Sequence, residues 1–374
     1  MRNVMFDCQR SWIEISKEAL RHNVKEISYH LNNKTQLMAV VKADAYGHGA
    51  VNVCQELNKM GIQSFAVATL SEAIELRENH IKGDILILGY TDPSQSFLIH
   101  KYDFIQTIID EQYAYDLEKE KTDIKVHIAI DSGMHRLGIN VNELNMITSI
   151  YQLSHLHICG LFSHLCVADE LTTSSQNYTL SQIDSFMQLI NILKQNHYDV
   201  GHVHILSSYG LLNYPKISLD YVRMGILLYG VDSSYPKQSQ FNLKPVLSLK
   251  SKIAMIRKVK ANETIGYGRS FQATQDMKIA IVPIGYADGI PRSLSNQGQV
   301  IVRGQFASII GRICMDQMMI DVSHIKGVCI HDIVTIIGQD QYCRIGVEDI
   351  AKVSNTISNE ILSCIGFRLP KIYK

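Results

Sequence analysis

The stretch Ala39-Val40-Val41-Lys42-Ala43-Asp44-Ala45-Tyr46-Gly47-His48-Gly49 runs an apolar strand into a lysine and then into a glycine-bearing turn. A lysine at the end of a buried strand is costly unless its ammonium is paired, solvated or used chemically, because leaving water penalises the charged form. Partial desolvation lowers its pKa and prepares the amine to condense with a carbonyl. Tyr46 offers a hydroxyl to the same place, and Gly47 and Gly49 let the backbone turn tightly. Taken alone, the segment reads equally well as a snorkelling lysine followed by ordinary turn glycines.

Outward from this point, the strand at 37–41 is the first of eight β-rich runs that alternate with helical spacing. The others lie at 65–68, 85–88, 104–109, 126–130, 158–162, 203–206 and 221–224. This alternation predicts an α/β fold, a (β/α)8 TIM barrel, over an open doubly wound sheet. No G-x-G-x-x-G follows the first strand, which counts against a dinucleotide fold. Upstream, residues 12–15 alternate like a strand and Ser16 caps a helix carrying Leu20, Val24, Ile27 and Leu31. Ser71 is the expected cap of the helix through Ile74 and Leu76, Asn142 starts a helix through Ile150, and a long helix covers 181–195. Near Lys244-Pro245-Val246 the rhythm changes to short β-like runs, with helical spacing only at 347–353. The expected organisation is a barrel over 12–243 and a mostly-β C-terminal domain over 244–374, with residues 1–11 joining the latter.

In 374 residues, 36 basic and 36 acidic side chains balance, which argues against a nucleic-acid partner. Eight cysteines without a C-x-x-C pair, and histidines without H-E-x-x-H, give neither a metal site nor a disulfide framework. No leader and no long apolar run is present, so a soluble, cytoplasmic chain is expected, complete or cut from a longer protein.

A barrel puts its reactive groups at the C-terminal ends of its strands. Those positions carry Lys42, the run Asp131-Ser132-Gly133-Met134-His135-Arg136, Ser163-His164, Ser207-Ser208 and Arg223-Met224-Gly225-Ile226. The loops after strands seven and eight commonly hold phosphate through N–H groups and small hydroxyls, the place of Ser208, Gly225 and Ile226. A reactive lysine facing a phosphate site outlines a pocket for pyridoxal 5'-phosphate (PLP). Singly, each residue has a bland reading: Arg223 as a barrel-end salt bridge, Ser208 as a helix cap, Met315 as packing, His164 and His204 as satisfied interior histidines.

The motif A-V-V-K-A-D-A-Y-G-H-G resembles the PLP-attachment motif of the alanine racemases, and the likeness extends from Trp12 to Tyr373. It is carried further by D-S-G-M-H-R from 131, S-H-L-C-V-A-D-E from 163, R-M-G-I-L-L-Y-G from 223 and I-G-Y-G-R-S-F from 265. P-I-G-Y-A-D-G from 283, G-R-I-C-M-D-Q from 311 and T-I-S-N-E from 356 complete the set. The resemblance implies that Lys42 holds PLP as a Schiff base and serves as one acid/base, with Tyr267 of a partner subunit serving on the opposite face. His164, backed by Arg223, would assist Tyr267; Arg223 would also face the pyridine nitrogen, and His204 would pack on the ring. Tyr46, Ser208, Gly225, Ile226 and Tyr229 would bind phosphate. Arg136 and the Met315 main chain would take the substrate carboxylate, with Asp316 bordering it and Tyr286 at the entrance.

Two departures stand out. Ala129 occupies the position of a lysine that is carbamylated in many relatives and steadies the arginine, and Asn359 replaces a tyrosine that borders the substrate side chain. A polar amide in an opened pocket favours a β-hydroxyl substrate. In this it resembles the serine racemases of vancomycin-resistance clusters, the cytoplasmic parts of membrane-anchored proteins that supply D-serine for peptidoglycan precursors. The expectation is therefore a homodimeric PLP enzyme racemising L-serine and L-alanine. Its alternatives are an ordinary alanine racemase, a non-catalytic PLP-binding barrel and a barrel-type decarboxylase.

Overall fold

The computed structural model describes residues 10–32, 34–232 and 241–374. Gln36–Val40, Ser64–Val67, Asp84–Ile87, Ile105–Ile108, Ile124–Asp131, Leu156–Phe162, His202–Ser207 and Tyr221–Met224 pair in that order, all parallel. The last pairs with the first, closing the expected barrel and leaving no open edge.

Strand periodicity aims the lysine. Met38 and Val40 are buried with Ala66, Leu86, Ile105 and Tyr221, one set of alternate residues, while Leu37, Ala39 and Val41 belong to the larger core beneath the helices. A period of two therefore assigns Lys42 to the interior side, at the barrel mouth. The same parity carries Arg223 inward from Tyr221.

A second, mostly antiparallel ten-stranded sheet follows the barrel, as expected. The strand Ser11–Ile15 pairs antiparallel with Leu247–Lys252 and parallel with Lys371–Tyr373, so it belongs to this sheet and not to a barrel beginning at residue 12. Its alternating pattern identified a strand but carried no information on its partner. Residues 1–9, also expected to join the second domain, lie outside the described residues.

Smaller corrections follow from local chemistry. Ser16 caps Lys17–His30 by accepting from the Ala19 N–H, whereas Leu70–Glu78 is capped by Thr69 in a capping box with Glu72, and Ser71 lies inside the helix. The helix expected from Asn142 starts at Leu144, and the long helix begins earlier, at Thr173. A six-residue helix, Ser358–Ser363, was unanticipated; it carries Asn359. No helix among the described residues is long and apolar enough to cross a membrane.

Candidate active site

The chain leaves the first barrel strand in an unusual conformation. Ala43, Asp44, Ala45 and Tyr46 have φ of 51°, 53°, 54° and 52°, a left-handed turn built from residues with side chains. Such a conformation costs about 1–2 kcal/mol per residue and persists where surrounding contacts impose it, commonly at functional sites. Asp44 accepts from the Ala50 N–H at 2.7 Å and pairs with Lys371 at 2.7 Å, while the Tyr373 hydroxyl donates to the His48 carbonyl at 3.1 Å. Glu72 accepts from the Ala43 N–H at 2.7 Å.

Lys42 opens into a cavity of about 710 Å³ walled by Tyr46, Arg136, Phe162, His164, Ser208, Arg223, Gly225, Ile226 and Asn359, with Ala129 on the same lining. Burial, then Arg136 and Arg223, hold its pKa below that of a free lysine, with Glu72 opposing them. Arg136, on an exposed loop, enters no ion pair or hydrogen bond among the described residues. Its loop is shaped by Asp131, which accepts from the N–H groups of Gly133, Met134 and His135 at 2.9–3.0 Å; against the cost of burial these bonds keep the carboxyl pKa low.

Arg223 is buried and anchors a network. It donates to the Ser163 carbonyl at 2.7 Å, to His164 Nδ1 at 2.9 Å and to His204 Nδ1 at 2.7 Å. Burial, then Arg136, lowers its pKa to about 9, so it remains a cation at neutral pH. Burial, then Arg223, pushes His164 down to about 3 and His204 well below its ordinary value, so both rings are neutral. Because both Nδ1 atoms accept from a guanidinium, the proton of each ring sits on Nε2. His204 spends its proton on His127 Nδ1 at 3.0 Å, leaving His164 as the histidine that joins Arg223 on the cavity wall.

Two expected cofactor contacts are corrected. His204 is fully buried and stacks on Phe162, with ring centroids 5.0 Å apart, instead of lining the cavity. Tyr229 is likewise buried, donates its hydroxyl to the Val40 carbonyl at 2.9 Å and stacks on His48, so its phenol is not available to a phosphate. At the other positions the geometry is a cradle. Ser208 Oγ accepts from the Gly225 N–H at 3.2 Å, and a Cβ on Gly225 would lie 2.8 Å from the Tyr46 hydroxyl.

The remaining residues gather on the second domain. Tyr267, Met315 and Asp316 line a separate groove of about 1100 Å³, and Tyr286 lies beside it, its N–H donating to the Cys314 carbonyl at 3.1 Å. Tyr267 is 69% exposed. Asp316 is engaged by Arg368 at 2.7 Å. None of these four lines the cavity of Lys42.

Residues 15–233 match the family of the alanine racemase N-terminal domain and residues 246–373 that of the C-terminal domain. The chain belongs to the alanine racemase family. It is 43% identical over 364 residues to a serine/alanine racemase of Enterococcus gallinarum, covering 96% of this chain and 51% of that protein. It is 40% identical to an alanine racemase of Halothermothrix orenii, over 97% of each. An alanine racemase structure from Clostridium difficile 630 superposes with a TM-score of 0.91 at 33% identity, covering 98% of this chain and 96% of that one. The chain spans about half the length of the enterococcal racemases it matches.

Pyridoxal phosphate is the cofactor of this family fold, and the residues present suit it. Lys42 is an amine with a lowered pKa and no hydrogen bond or ion pair among the described residues, and Lys42, Arg136 and Arg223 give the cavity cationic walls for an anionic guest. When bound, the cofactor supplies a carbonyl for an amine and a ring that withdraws electrons from the substrate α-carbon. Sequence reasoning missed Glu72, His127 and Phe162. A capping box at 69–72 was detectable as T-x-x-E, but the reach of Glu72 to Ala43 was not.

Proposed function

We propose that this chain is a PLP-dependent amino-acid racemase acting on alanine, as a homodimer whose two subunits complete each other's sites. The observation that carries the reading is the division of the residues. A lysine with a lowered pKa stands in a cationic barrel cavity, and the phenol of Tyr267 stands exposed on the second domain with Met315 and Asp316. Racemisation requires a proton to leave one face of the α-carbon and return to the other. In this reading Lys42 moves the proton on one face and Tyr267 of the partner subunit on the other.

A phenol has an ordinary pKa of about 10 and needs help to act as a base near neutrality. His164, neutral and with its proton on Nε2, would donate to the phenolate, with the Arg223 cation behind it. Arg223 would also face the ring nitrogen, where a cation keeps the ring a weak electron sink and favours proton transfer over side reactions. Arg136 would take the substrate carboxylate, with the Met315 main chain and Asp316 bordering it and Tyr286 at the entrance. Tyr46, Ser208, Gly225 and Ile226 would hold the phosphate.

The test is complementation. Lys42→Ala and Tyr267→Phe should each be inactive alone, and mixing them should restore one working site per mixed dimer. Two variants that stay inactive after subunit exchange, verified by mass spectrometry of the mixed dimer, would sink the shared-site reading.

A second reading, racemisation of serine as well as alanine, is favoured by the position of Asn359 on the cavity wall. The serine/alanine racemase named among the relatives supports it. Supply of D-serine to peptidoglycan precursors in vancomycin resistance, from a cytoplasmic domain of a membrane-anchored protein, belongs to this reading. Steady-state kinetics on both L-amino acids decide it: Asn359→Tyr should depress serine turnover more than alanine turnover, and a wild-type enzyme with only trace serine turnover rules it out.

A further inference from the structure

We propose that Glu72 is a positioning residue for Lys42, holding the left-handed turn in place and supplying the carboxylate that faces the lysine from the neighbouring helix. Its carboxylate is divided between two elements. One oxygen accepts from the Ala43 N–H at 2.7 Å, the peptide directly after Lys42; the other accepts from the N–H groups of Ala68 at 2.7 Å and Thr69 at 3.2 Å. The bond from Thr69 is the ordinary work of a capping box, completed by the Glu72 N–H donating to Thr69 Oγ1 at 3.3 Å, and the bond from Ala68 extends it by one residue. The bond to Ala43 lies outside that motif and ties the start of Leu70–Glu78 to the residue on which the strained turn begins.

The electrostatics point the same way. Lys42 is faced by Arg136 from the loop after Ile124–Asp131, by Arg223 from Tyr221–Met224, by His164 after Leu156–Phe162 and by Tyr46 on its own turn; Asp131 and Asp169 lie on the wider cavity lining. Burial and the two arginines disfavour its charge, and Glu72 opposes them. The same side chain therefore fixes where the amine stands and moderates how readily it gives up its proton. A displaced amine near a reacting centre can cost about 10²-fold in rate.

The importance of this amine rests on the racemase reading, but the experiment need not. In full-length, cofactor-free protein, the pH dependence of Lys42 acylation by acetic anhydride, read by peptide mass spectrometry, reports the titration of the lysine directly. Glu72→Gln removes the charge and should move the midpoint to lower pH. Thr69→Ala breaks the other half of the capping box without touching Ala43 and should leave the midpoint where it is. In the holoenzyme Glu72→Gln should lower kcat/KM by about 10²-fold, and Glu72→Asp, which keeps the charge on a shorter arm, should retain the midpoint while losing turnover. A midpoint unmoved in Glu72→Gln, or moved equally by Thr69→Ala, overturns the proposal. Should Glu72→Gln fail to fold, wild-type kcat/KM in Glu72→Asp does so. Absence of racemase activity in the wild type, with the midpoint shift present, would fault the functional reading alone.

Discussion

At the scale of single residues, the cavity depends on one absent methyl group. Gly225 has φ of −108° and ψ of −102°, and its glycine is required by space. A Cβ there would meet the Tyr46 hydroxyl at 2.8 Å, and Tyr46 is held from behind by Tyr229 at 5.2 Å between ring centroids. Gly225→Ala should therefore displace the phenol and, on the proposed placement of the phosphate, weaken PLP binding by about tenfold, while stability changes by about 1–3 kcal/mol, the usual cost of overpacking. Fluorescence titration of the cofactor-free protein with PLP measures the first and urea unfolding the second; unaltered PLP affinity would remove Tyr46 and Gly225 from the cradle. Lys42, Arg223 and Ser208 could be read from sequence because strand ends and strand parity locate them. His204 and Tyr229 were assigned to the cofactor by the family resemblance, which reports position along the chain and not depth, and both sit beneath the wall.

At the scale of elements, the left-handed turn is clasped by the C-terminal strand. Gly49 has φ of +92°, and a Cβ on it would fall 1.8 Å from the Tyr373 hydroxyl that bonds to His48. Gly49→Ala should cost more than about 1 kcal/mol because both conformation and space oppose it. Lys371→Met removes only a partly exposed pair with Asp44 and should cost about 0–1 kcal/mol. Denaturant unfolding of the two variants side by side checks the order, and an equal or reversed ranking would remove the steric argument. The barrel strands were legible because two buried faces give near-continuous apolar runs. Ser358–Ser363 was not, since six residues complete too few turns to show a helical period, and its contacts with the lysine turn are tertiary: a Cβ on Gly47 would meet the Leu362 carbonyl at 2.5 Å.

At the scale of the whole molecule, the polar network that serves the cavity also sets a limit on acid stability. His48 is pushed to about 4, and His127 and His164 to about 3, chiefly by burial, while His204 lies well below its ordinary value. Unfolded, each titrates near 6.5. Between these values the unfolded chain binds protons that the folded chain refuses, so the stabilisation is complete above about pH 6.5 and is lost as pH falls through the gap. His48, His127 and His164 then each forfeit about 1.4 kcal/mol per pH unit, or about 2 kcal/mol by about pH 5. Together these three reach the lower end of the 5–15 kcal/mol that typically holds a folded domain together, and His204 acts in the same direction. Glu14, held near 2 by Lys374, Trp12 and Lys250 against the cost of burial, adds to the loss only below its ordinary carboxylate range. Urea midpoints measured at successive pH values should therefore be flat above neutrality and fall steeply from about pH 6.5 towards pH 5, before carboxylates protonate. His127→Gln, which removes one buried imidazole behind the cavity, should make that fall shallower by about one histidine's share. A midpoint that holds constant down to pH 5, or a variant with the wild-type slope, would mean that these rings accept protons in the folded chain, and the proposed relay, in which a neutral His164 accepts from Arg223 at Nδ1, would go with them.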